Sequence, residues 1–283
     1  MDPKLVRIEI EDARVAARVW GEQDRPVVAF EVLLDEFGSY VVAIDAPGLG
    51  ESPPAPNLSY EPGTVAELYL AAMRSAGIER AHLMGFSWGA SVAVEAALLD
   101  PDAVSGVALI DGAYWSLKES PVFARFSAEG DEALVDFATE EFAGLSWGSE
   151  DEWLAWLAEA FEADLRPALR RSAFAPVERR EGAVRPRLDP STYASAIRHL
   201  FDWDLDAALA RLGSSNKPVL VFAADDGGAF GEARRNALPR LERSVPAAEL
   251  VRLTGPHDLF LDYAEAIARI VGRWASRQVS QLR

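Results

Sequence analysis

A chain of 283 residues with 49% hydrophobic and 10% aromatic side chains can bury one large core, with room for an insertion, and is not a disordered polymer. Its formal charge of −17 disfavours nucleic acid and anionic membrane surfaces as partners, because phosphate contacts need a basic patch. Cysteine is absent, which excludes disulfides, thiolate metal sites and a cysteine nucleophile.

The chain opens on Val6-Arg7-Ile8-Glu9-Ile10, whose alternation reads as a strand rather than the apolar stretch of a secretion signal. No apolar run reaches the roughly 18 residues needed to span a bilayer, so a soluble, cytoplasmic protein is expected. Leu5–Ile10 and Arg14–Trp20 alternate as half-exposed antiparallel strands do. Pro26–Phe30, Tyr40–Ile44, Ala81–Phe86 and Val104–Ile110 contain continuous apolar runs, as strands buried on both faces of a parallel sheet must. Helical spacing over Val65–Ala76 and Ala90–Leu99 separates them, and this alternation predicts a mostly parallel, doubly wound α/β sheet.

The alternation breaks at about Ala113. From there to Leu212 amphipathic helices rich in aromatics are expected (Phe137, Phe142, Trp147, Trp153, Trp156, Phe161, Phe201 and Trp203), with Pro176–Pro190 as a loop. Strand and helix signals resume at Val219–Ala223, Ala229–Leu241, Glu249–Leu253 and Tyr263–Arg277. The organisation expected is therefore a core of residues 1–112 and 213–283, with 113–212 inserted as a helical cap. Such a cap would cover the carboxyl edge of the sheet, where open α/β sheets bind their ligands.

The chemistry concentrates in Gly85-Phe86-Ser87-Trp88-Gly89, which fits Gly-x-Ser-x-Gly with a strand before it and a helix after it. Glycine-serine turns between strand and helix are common, so the pentapeptide takes its meaning from that context. Small flanking residues let the serine occupy a strained turn with its hydroxyl above the sheet. The following helix aims its amino-terminal amides at the site, and the Trp88 amide is the predicted oxyanion donor. Serine needs a base to become a nucleophile, and the chain holds three histidines. His82 begins the strand that leads to the elbow and lies toward its far end. His199 falls on a cap helix and reads as a packing or surface residue. His257, in Gly255-Pro256-His257-Asp258, directly follows the last strand and can reach the carboxyl edge.

Taken together, Asp45-Ala46-Pro47-Gly48-Leu49-Gly50-Glu51-Ser52, the serine elbow and Gly255-Pro256-His257-Asp258 resemble the successive landmarks of the α/β-hydrolase family. The resemblance covers about Leu5–Gly112 and Lys217–Arg277. It implies Ser87 as nucleophile and His257 as base, and it makes the Asp45–Ser52 segment a structural loop without chemistry. For the acid, the family's usual position follows the strand Pro218–Phe222. The commonest register falls on Gly227, which makes its neighbour Asp226 the first choice. Asp111, at the end of Val104–Ile110, occupies the position some members use instead. The family also has a His-Gly loop after the strand at Pro26–Phe30 that supplies a second oxyanion amide. Here only residues 31–39 separate that strand from the next, beginning with Glu31, whose carboxylate would repel an oxyanion. Loss of one such donor typically costs about 10²–10³ in rate.

The function expected is a serine hydrolase cleaving an ester-type bond (ester, lactone, thioester or carbon–carbon) of a small hydrophobic acyl substrate through an acyl-enzyme on Ser87. Phe86 and Trp88, with the cap aromatics, are predicted to line an apolar pocket. A haloalkane dehalogenase or epoxide hydrolase of this fold would carry aspartate at position 87. The alternatives are a cofactor-free perhydrolase with the same triad and a non-catalytic binding protein on the same fold. No metal or organic cofactor is implied, and the oligomeric state stays open, a homodimer included.

Overall fold

The computed structural model describes residues 4–10, 13–20, 26–30, 40–53, 55, 58–120, 122–142, 144–160 and 176–281. Its first half comprises β1 (Lys4–Ile10), β2 (Ala13–Trp20), β3 (Pro26–Phe30), β4 (Tyr40–Ile44), α1 (Pro62–Ser75), β5 (Ala81–Phe86), α2 (Trp88–Leu99) and β6 (Val104–Ile110). The middle holds α3 (Phe126–Phe142), α4 (Glu150–Ala160), β7 (Val177–Arg180), β8 (Ala183–Pro186) and α5 (Pro190–Asp202). It closes with α6 (Leu205–Ser214), β9 (Val219–Asp225), α7 (Ala229–Ser244), β10 (Glu249–Thr254) and α8 (Phe260–Gln281).

Eight strands form one sheet in the order β1-β2-β4-β3-β5-β6-β9-β10. β1 and β2 pair antiparallel with each other, β2 pairs antiparallel with β4, and every later neighbour is parallel. The central strands β5, β6 and β9 are covered on both faces, and the strand period of two sorts their side chains between them. Leu83, Leu109 and Val221 enter one core cluster with α1 and α2, whereas their neighbours Met84, Ile110 and Phe222 enter a second with α8. This double burial is why those strands read as unbroken apolar runs. Helix α2 is built from small residues (Ala90, Ala93, Ala96, Ala97), all buried, which lets it lie close to the sheet. No helix among the described residues is long and apolar enough to cross a membrane.

The inserted region differs from expectation in two places. Residues assigned to a loop over Pro176–Pro190 instead form the antiparallel hairpin β7–β8. Its turn residues, Glu181 and Gly182, both have positive φ (52° and 82°), the backbone twist that favours tight hairpins. The hairpin buries Val177 and Val184 against Trp147 and Trp153, and Trp147 bridges to Val184. The second difference is α6: its Leu205, Ala208, Leu209 and Leu212 belong to the main core cluster, so the helix packs with the sheet domain. The boundary expected at Leu212 therefore falls inside a helix of the core. Phe126, Leu134, Ala138, Ala194 and Phe201 form a separate small core for α3 and α5. A bond of 2.6 Å from the Trp203 indole Nε1 to Glu95 Oε1 ties the end of α5 to α2. Phe161 lies outside the described residues.

Candidate active site

The elbow is a crowded turn. Ser87 has φ 52° and ψ −121°, a conformation that side chains rarely adopt, and it stands between β5 and α2. Its amide donates to the Ile110 carbonyl (2.9 Å), which ties the turn to the end of the adjacent strand. A Cβ on Gly85 would lie 2.1 Å from the Gly89 carbonyl oxygen, so the glycine is sterically required. Gly112 meets the same demand from the other side, since a Cβ there would lie 2.2 Å from the Ser87 carbonyl oxygen. Trp88 is the first residue of α2, so its amide has no acceptor within the helix and lies at the positive end of the dipole.

One residue beyond β6, Asp111 is wholly buried and also has positive φ (43°). Its Oδ2 lies 2.7 Å from His257 Nδ1. Its Oδ1 accepts from the Tyr114 hydroxyl (2.7 Å) and from the Ala224 amide (3.1 Å). Burial, followed by the neighbouring Asp111 charge, pushes the Tyr114 hydroxyl far above its usual range, so it serves there as a neutral donor. With the carboxylate accepting, Nδ1 of His257 carries the proton and Nε2 is left with the lone pair a general base needs. The His257 side chain is 34% exposed, and its ring packs on Phe86 at 4.7 Å between centroids. Beside Ser87 and Asp111 is a cavity of about 40 Å³ whose apolar walls include Trp115, Leu117, Leu200 and Trp203.

A model of the alpha/beta hydrolase fold family matches residues 24–264. The chain belongs to that family. It is 27% identical to a haloalkane dehalogenase of Bradyrhizobium diazoefficiens over 96% of this chain and 95% of that one. Among solved structures it resembles E-2-(acetamidomethylene)succinate hydrolase, with a TM-score of 0.75 at 21% identity, covering 97% of this chain and 99% of that one. It also resembles the thioesterase domain from the curacin biosynthetic pathway, with a TM-score of 0.74 at 17% identity, covering 96% and 99% of the two chains.

Within this hydrolase fold, the first-choice acid, Asp226, is not the carboxylate at His257; Asp111 is. The Asp226 side chain turns back onto its own loop, where Oδ1 accepts from the amides of Gly228 (2.8 Å) and Gly231 (2.9 Å) at the start of α7. Its Oδ2 lies 3.4 Å from Arg234 Nη1. Asp225 is likewise occupied, by Arg235 and the Gly227 amide. Phe86 and Trp88 do not line the cavity beside Ser87. Phe86 packs between His257 and Phe260, and the Trp88 indole donates to the Tyr60 carbonyl (3.3 Å).

The other two histidines have other partners. His82 is buried with its ring 5.0 Å from that of Trp274. Burial, reinforced by Arg80, pushes its imidazole down to about 4. His199 Nε2 is 3.2 Å from Ser59 Oγ. The Asp45–Ser52 loop is stapled to β2: Asp45 accepts from Arg18 (2.7 Å), and Ser52 Oγ accepts from the Ala16 amide (2.8 Å). Residues 31–39, Glu31 among them, lie outside the described residues.

Three residues of the site escaped the sequence reading: Gly112, Tyr114 and Arg234. Arg234 carried a usable signal. It falls at helical spacing among Phe230, Ala237, Leu238 and Leu241, an arginine inside an apolar stripe.

Proposed function

We propose that the protein is a serine hydrolase that cleaves an ester-type bond (ester, lactone, thioester or carbon–carbon) of a small hydrophobic acyl substrate. The observation that carries this reading is the Asp111–His257 hydrogen bond beside a serine held in the strained elbow. His257 Nε2 takes the Ser87 proton as Oγ attacks the carbonyl carbon, and the Trp88 amide stabilises the resulting oxyanion. The imidazolium then gives its proton to the leaving group as the bond breaks. Water, deprotonated by the same histidine, releases the acid and restores Ser87.

The narrow cavity and its Trp and Leu walls support an acyl part that is small and apolar. Dehalogenation is disfavoured although a relative is a haloalkane dehalogenase. Halide displacement by a carboxylate leaves an ester, which water can open at its carbonyl. Displacement by Ser87 would leave an ether with no carbonyl to attack.

Labelling with a fluorophosphonate, mapped by peptide mass spectrometry on the wild type and Ser87→Ala, tests the proposal. An adduct on Ser87 that the variant lacks is the expected result. A folded protein that takes no label would overturn it in favour of a binding protein on the hydrolase fold.

A further inference from the structure

Arg234 stands on α7 with only 3% of its side chain exposed, an expensive place for a guanidinium without counter-charges. Two carboxylates flank it: its Nε is 2.9 Å from Asp111 Oδ2, and its Nη1 is 3.4 Å from Asp226 Oδ2. Its cationic carbon lies over two aromatic rings, 5.2 Å from the centre of Trp115 and 5.8 Å from that of Phe230. The Nε makes no directed hydrogen bond, so its contact with Asp111 is one of charge. The directed bond at that oxygen is left to His257.

Resting on the hydrolase reading above, we propose that Arg234 is a positioning residue that acts through Asp111 to keep His257 a free base. The titratable and charged groups facing the cluster are Asp111, Asp226, Asp225, Asp258, Tyr114 and His257. With Arg234 present, the carboxylates of Asp111 and Asp226 share one cation. Without it, the Asp111 carboxylate would face the imidazole with no cation to offset it and Asp226 would add a second uncompensated charge behind it, both favouring the imidazolium, which cannot accept the serine proton. Asp226, the neighbour of the position where the family's commonest register would put the acid, thereby becomes the outer anchor of the cation that offsets the charge of Asp111.

The second-order rate of fluorophosphonate labelling at Ser87, followed against pH, reads this out without a known substrate. In Arg234→Met the acid limb of the profile is expected to move up by about one pH unit. Arg234→Lys, which restores the charge, brings it at least halfway back. Asp226→Asn removes a negative charge and moves the limb the opposite way, to lower pH. Circular dichroism establishes that each variant is folded. If Arg234→Met does not fold, the decision falls to Arg234→Lys and Asp226→Asn. A folded Arg234→Met whose limb stays at the wild-type pH overturns the inference, as does an unmoved limb in Asp226→Asn. A wild type that takes no label at any pH instead refutes the serine-hydrolase reading itself, so the two failures are distinguishable.

Discussion

Asp111 and His257 are 146 positions apart in the chain, and their side chains meet at 2.7 Å. The contact is made by a residue at the end of β6 and a loop after β10, with β9 lying between those strands in the sheet. The Ala224 amide of β9 also donates to Asp111, so the intervening strand braces the carboxylate it separates from the histidine.

The two aspartates should therefore respond differently to the same change. Asp111→Asn replaces an acceptor of the Nδ1 proton by an amide that can impose the wrong tautomer, and kcat on an acyl ester should fall by roughly 10³–10⁴. Asp226→Asn leaves that bond intact and should lower kcat at its pH optimum by less than about tenfold. Equal losses in the two variants, measured on one activated ester, would contradict the assignment.

His82 makes stability depend on pH. Its imidazole titrates near 6.5 in the unfolded chain and at about 4 in the folded protein. Between those values the unfolded state binds more protons, so stability is lost as pH falls through the window and levels off below it. The loss attributable to His82 reaches at most about 3 kcal/mol. Urea unfolding of wild type and His82→Gln at pH 7 and pH 4.5 should show the variant losing less stability on acidification. Parallel losses would remove His82 as the cause.

Ser87 holds a backbone conformation costly to a residue with a Cβ, typically by about 1–3 kcal/mol. Glycine relieves that strain and costs about 0.4–1 kcal/mol through the entropy of the unfolded chain. Ser87→Gly should thus raise the melting temperature while abolishing labelling. A lowered melting temperature would mean that the turn carries no strain.

Gly112→Ala should do the opposite. The added methyl would press on the Ser87 carbonyl oxygen, which is backbone held between β5 and α2 and cannot move aside cheaply. A destabilisation above about 3 kcal/mol is expected, comparable to severe overpacking. Thermal unfolding and fluorophosphonate labelling of the variant check it together, and near-wild-type values in both would refute the steric reading.

The central parallel strands β5, β6 and β9 were legible because burial on two faces leaves them few polar positions, as the split of Leu83 and Met84 between two core clusters illustrates. The elbow was legible because its steric demands are written in adjacent residues. The acid was not. Choosing between Asp111 and Asp226 depends on which carboxylate a local turn consumes, and the amides of Gly228 and Gly231 that take up Asp226 become visible only once α7 is in place. The hairpin β7–β8 was missed for a related reason. Its strands are short and arginine-rich, and only Val177 and Val184 face the tryptophans that stabilise it. Helix α6 carried a clear apolar stripe, but periodicity alone does not say which core the stripe joins.

The amide of Ser87 is bonded to Ile110, the residue immediately before Asp111. Ser87 and Asp111, the proposed nucleophile and acid, are thus tied to one another through the backbone at the ends of two adjacent strands. His257 lies in the connection between β10 and α8. In the proposed mechanism the imidazole shares no such backbone bond with the elbow among the described residues, so a ligand or a neighbouring molecule that displaced this one ring would stop the proton transfer and leave the Ser87–Ile110 tie in place.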